Sequence, residues 1–150
     1  MIMKEDQLPY HTSGNGSVVT GDGSSTVTIS QVTATVAHLA PHTASQVSIP
    51  VESPPSGTAQ LLRIRVETSG SNGGAITALQ VAYDNTIVFT TLVPDGDTTF
   101  EICPEDGGPP NPPPNGIVVT LTVGLPNIDS SVNIDLVTLG FGESTLEDVG

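Results

Sequence analysis

Apolar residues in this chain recur at every second position, and no long stretch shows the spacing of an amphipathic helix. Ile117, Val119, Leu121 and Val123 alternate without a break, as do Val132, Ile134 and Leu136. Leu62-Arg63-Ile64-Arg65-Val66-Glu67 is apolar on one face and charged on the other. Successive side chains of a strand point to opposite faces, so this period commits the chain to half-buried β-strands. Shorter runs of the same kind are Val27-Thr28-Ile29, then Val47, Ile49 and Val51, then Leu79, Val81 and Tyr83, Ile87-Val88-Phe89 and Thr99 to Ile102. Turn-formers separate them: Gly21-Asp22-Gly23, Pro54-Pro55-Ser56-Gly57, Ser69 to Gly74 and Pro94-Asp95-Gly96-Asp97. Asp84-Asn85 between two β-rich runs is a hairpin signature. After Ile29 the parity slips, and Val32, Ala34 and Val36 carry the pattern on the other count, as a β-bulge or a bend between sheets produces.

About eight short strands without a core helix define an all-β class, here a single antiparallel β-sandwich of jelly-roll type. A chain of 150 residues suits one domain and buries roughly 70% of its unfolded surface, so its core needs neither disulfide nor metal. The expected organisation is an N-terminal arm over residues 1–16, a sandwich over 17–141 with a Pro-rich loop at 104–116, and an acidic tail at 142–150. No apolar run approaches the ~20 residues of a membrane-spanning helix. Met1 to Asp6 holds no apolar stretch of the secretory kind, so export by that route is not expected.

Sixteen acids face only Lys4, Arg63 and Arg65, a formal net charge of −13. Nucleic acid and anionic membrane surfaces are thereby disfavoured, because both are held by Lys and Arg. Arg63 and Arg65 share one strand face with Glu67. Two readings stand side by side: pairing with acids across the sheet, at roughly 0–1 kcal/mol a pair, or a contact face for an acidic patch on a partner. Tyr10 in the arm and Pro112 and Pro113 in the stiff loop are further partner-contact candidates.

Candidate chemistry is sparse. Asp95 and Asp97 offer hard oxygen donors for a structural Ca²⁺, but their Asp-Gly context is above all a turn, and no cofactor is expected. His38 and His42 lie four apart, a metal spacing on a helix, but Pro41 between them and the strand-then-turn context argue against one. Cys103 is the single cysteine; beside Ile102 and Pro104 it reads as a small, partly buried hydrophobe. Three scattered histidines, no Gly-x-Ser-x-Gly elbow and no Lys after Gly70 to Gly74 argue against a hydrolase or a phosphate loop. The expectation is a protein that is not an enzyme.

From Leu62 to Gly142 the order of strand, hairpin, strand and final strand resembles the second half of a galactose-binding-like jelly roll, the fold of many carbohydrate-binding modules. The final strand Val132-Asn133-Ile134-Asp135-Leu136-Val137-Thr138-Leu139 is similar to that family's apolar-Ile-Asp-x-Val-x-Leu ending. The resemblance implies a monomer that binds sugar in its loops, yet the aromatic platforms such modules use are missing: there is no Trp, and Tyr10, Tyr83, Phe89, Phe100 and Phe141 are the only aromatics. In overall character the chain also resembles capsid decoration (cement) proteins of tailed bacteriophages. That likeness implies a trimer or dimer braced on the major capsid protein, made in the host cytoplasm and carried on the virion. The leading expectation is therefore a decoration protein, with a carbohydrate-binding module, or a subunit of a surface fibre or filament, as the alternative.

Overall fold

The computed structural model describes residues 10–55, 59–104, 112 and 116–142. Eleven strands run in order: β1 (Tyr10–Asn15), β2 (Thr20–Gly21), β3 (Ser25–Ser30), β4 (Thr33–His38), β5 (Ala44–Val51), β6 (Gln60–Ser71), β7 (Ala75–Tyr83), β8 (Thr86–Gly96), β9 (Phe100–Ile102), β10 (Ile117–Gly124) and β11 (Ser131–Gly142). They form two antiparallel sheets stacked as a jelly-roll sandwich. Sheet A has the order β3-β4-β11-β6-β9, with β1 on β11; sheet B has the order β2-β5-β10-β7-β8. The β11 edge opposite β6 is shared, since β4 pairs with Ser131 to Ile134 and β1 with Leu136 to Phe141.

The period-two pattern becomes burial directly. Ile117, Val119, Leu121 and Val123 of β10 all point inward against Leu61, Ile64 and Val66 of β6 and the inward side chains of β11 in one core cluster. At the predicted hairpin, Asp84 and Asn85 have φ of 49° and 68°, the left-handed pair that a two-residue turn requires. Tyr83 faces Thr86 across it.

Four expectations need correction. Tyr10–Asn15 is not an arm but strand β1, and the chain crosses from sheet A to sheet B through a 3-10 turn at Gly16–Val18; residues 1–9 lie outside the described residues, as does the expected tail at 142–150 apart from Gly142, which ends β11. The parity slip after Ile29 is a hairpin, with Gln31 at φ 57° and Thr33 facing Ser30. Pro94, Asp95 and Gly96 belong to β8; Gly96 faces Ile76, and a Cβ on it would stand 1.9 Å from the Ile76 carbonyl oxygen. In β11 the alternation breaks at a bulge between Ile134 and Leu136, which leaves Leu136 half-buried and turns Val137, Leu139 and Phe141 inward.

Asp22 fastens the sheets at one corner. Its carboxylate accepts from the Ser24 amide (3.0 Å) and hydroxyl, the Ser45 hydroxyl (3.1 Å) and the Gln46 amide (3.2 Å). Ser45 in turn meets the buried Ser25 hydroxyl at 2.7 Å, tying β5 to β3. Donation from Ser24 holds the Asp22 pKa down to about 2. A carboxyl depressed in the folded state stabilises it above the unfolded pKa, and that stability is lost as pH falls from about 4 to about 2. Because Asp22 is exposed, the expected contribution is below about 1 kcal/mol. Asp22→Asn should therefore melt slightly lower than the parent at pH 6 and converge with it near pH 2, as read by circular dichroism.

Candidate functional site

The two outer faces of the sandwich differ in charge. On sheet A, Arg63 and Arg65 project outward beside Glu67, and both guanidinium groups reach Glu101 on β9, Arg65 at 2.9 Å. Arg65 also lies 3.9 Å from Glu67. Glu101 accordingly has its pKa lowered, chiefly by donation from Arg63. This is the cross-sheet pairing of the first reading of these arginines. Asp135 sits on the same sheet, where it accepts from Thr33.

Sheet B presents no such groups. Across its five strands Asp95, at the end of β8, is the single charged residue. Register aligns its outward side chains in three rows that run across the strands. The middle row is Thr20, Ser48, Thr120, Gln80 and Thr90. Every member carries a hydroxyl or a carboxamide, groups that both donate and accept hydrogen bonds. Ser48 and Thr120 stand 3.2 Å apart, oxygen to oxygen. At about 4.8 Å per strand the row is roughly 19 Å long.

Apolar atoms flank that row on both sides. One side holds Pro50, Val118, Ala82 and Ile87, the other Gln46, Thr122, Ala78 and Leu92. Ile87 and Leu92 are 57% and 80% exposed. Beyond Pro50 and Val118 the face opens into a groove of about 290 Å³, lined also by Val51, Glu52, Ser53, Gly116 and Ile117. The Ser53 hydroxyl is buried and has no partner among the described residues. Next to the groove the Asp84 amide donates to the Gly116 carbonyl (3.1 Å), and φ of +94° at Gly116 leaves space that the Asp84 carboxylate fills. Neighbouring Tyr83 is buried, which pushes its hydroxyl up to about 12.

The residues nominated from sequence do not converge. Asp97 is exposed in the turn after β8, and among the described residues no group of three His, Cys, Asp or Glu is placed to hold a metal. Tyr10 opens β1 opposite Phe141 and packs on the core. Pro112 is buried, and Pro113 lies outside the described residues. His38 ends β4, while Leu39 and His42 bridge a tight turn and not a helix. Cys103 is exposed, a correction to the partly buried reading: Phe100 and Ile102 turn inward, so Glu101 and Cys103 face out. The rows on sheet B were missed because they join positions far apart in sequence. The one available signal was the lack of charge at the outward positions of the runs 44–51, 75–83, 86–92 and 117–124.

No family model and no curated protein sequence matches the chain. Among solved structures it is similar to a low-affinity xylan-binding module, CBM86, from the xylanolytic gut symbiont Roseburia intestinalis. That pair has a TM-score of 0.54 and 12% identity over 87% of this chain and 95% of the other. It is also similar to the C-terminal CBM6 of LamC, a marine laminarinase of Zobellia galactanivorans, with a TM-score of 0.51 and 9% identity over 86% and 98%. No comparison supports the capsid-decoration expectation. What the chain shares with these two structures is the jelly-roll β-sandwich.

Proposed function

We propose that this chain is a non-catalytic carbohydrate-binding module that seats its glycan on the outer face of sheet B. The observation that carries this reading is the face itself. In a chain of net charge −13 it is an uncharged strip of hydroxyls and one carboxamide, bordered by aliphatic side chains on one side and by a mixed row ending in Ala78 and Leu92 on the other. Sugars present the same mixture, with hydroxyls around the ring edge and C–H groups on the ring faces. The fold similarity adds an analogy and no more, since one fold hosts many functions. Without an exposed aromatic platform, binding rests on a few hydrogen bonds of about 1 kcal/mol net each, so Kd is on the order of 0.1–1 mM for a short oligosaccharide.

Affinity electrophoresis through gels containing soluble polysaccharides tests this. Retardation by at least one of them is expected, together with a rise in melting temperature at millimolar oligosaccharide. Free migration through every gel, with a dimer or trimer in light scattering, would return the chain to the decoration reading.

A further inference from the structure

We infer that the sheet B face selects a neutral glycan laid across the strands, and that Gln80 is the residue that sets its specificity. This rests on the sugar-binding reading of the same face. The polar row crosses the sheet, so an extended ligand that follows it lies perpendicular to the strands and meets Ser48, Thr120, Gln80 and Thr90 in turn. Gln80 is the only carboxamide in this row; its neighbours along β7 on the same face are Ala78 and Ala82. Those two small side chains are the shorter neighbours of the carboxamide on this face. The carboxamide offers an acceptor oxygen and two donor hydrogens to a ligand on the face.

Among the described residues the charge distribution disfavours the other glycan class. A uronate or sulfated polymer needs a cation, and both described arginines project from the opposite sheet, engaged with Glu101. At the groove end the face is bordered by Glu52 and Asp84, both exposed acids. Long-range repulsion from the net charge of −13 acts in the same direction at low ionic strength.

The test uses the whole chain and its Gln80→Ala and Gln80→Glu variants. Probes are neutral xylan, mannan, β-glucan and galactan beside polygalacturonate, alginate and a sulfated galactan, in low-salt affinity gels. The expected result is binding to one or more neutral polymers and to none of the anionic ones. Gln80→Ala should weaken that binding about tenfold at an unchanged melting temperature, and Gln80→Glu should change the preference among the neutral polymers. Binding to an anionic polymer as tight as to any neutral one would overturn the charge selection while leaving the sugar-binding reading intact. Neutral binding indifferent to both variants would remove Gln80 from the account. Binding to no polymer would overturn the sugar-binding reading itself, and this inference with it.

Discussion

Phe141→Ala is expected to lower the stability of the fold by about 4 kcal/mol, the usual cost of a Phe-to-Ala cavity in a closed core. Phe141 is the largest fully buried side chain, with 0% exposure. It sits near the end of β11 with Tyr10 of β1 on one side and Leu61 of β6 on the other. Three strands thus hold the surrounding walls in a hydrogen-bonded ladder and limit how far they can collapse into the space left. For a chain of this length the loss corresponds to a drop in melting temperature of about 8–16 °C. Calorimetry on the purified variant measures it. A drop below about 3 °C would mean that β1 is loosely held and moves in to fill the cavity, which the six-residue pairing of β1 with β11 contradicts.

The second large effect concerns binding. Thr120→Arg is expected to abolish glycan binding, a loss of at least thirtyfold, while shifting the melting temperature by no more than about 2 °C. Thr120 is on central strand β10, with its hydroxyl 3.2 Å from that of Ser48 and its backbone paired with Gln80. A guanidinium on a long stem would lie over the polar row and displace any ligand from its middle. Because the position faces outward, the substitution creates no cavity and buries no charge. Arg65→Gln is the control on the opposite sheet. It removes one of two guanidinium groups from Glu101 and should leave sugar binding within about twofold. Equal loss in both variants would place the site elsewhere.

How legible each part was in the sequence depended on how local its physics is. The β10 strand could be read at once, since four apolar residues at period two face a single core. The hairpin at Asp84-Asn85 was equally plain, because its turn chemistry sits in two adjacent residues. Strand β1 could not be read, because of its inward residues Tyr10, Thr12 and Gly14 only one is apolar. It is a strand through the edge that β11 offers, and through Gly14, where a Cβ would stand 2.5 Å from the Pro50 carbonyl oxygen. The bulge in β11 was hidden for the opposite reason: Leu136 continues the apolar alternation by type, but its pairing with Glu67 takes it out of the core series. The binding face was the least legible feature. Ser48, Gln80, Thr90 and Thr120 each look like ordinary solvent-side residues of a strand, and only the registers of four strands make them one surface.

The central claim, that sugar is held on the outer face of sheet B, is tested most directly by mapping amide chemical shifts. The isotopically labelled chain would be titrated with the oligosaccharide that best raises its melting temperature. The account predicts that the perturbed amides cluster on β5, β10, β7 and β8 around Ser48, Thr120, Gln80 and Thr90, with β6 and β11 silent. Shifts confined to sheet A, or to the loops at either end of the sandwich, would contradict it.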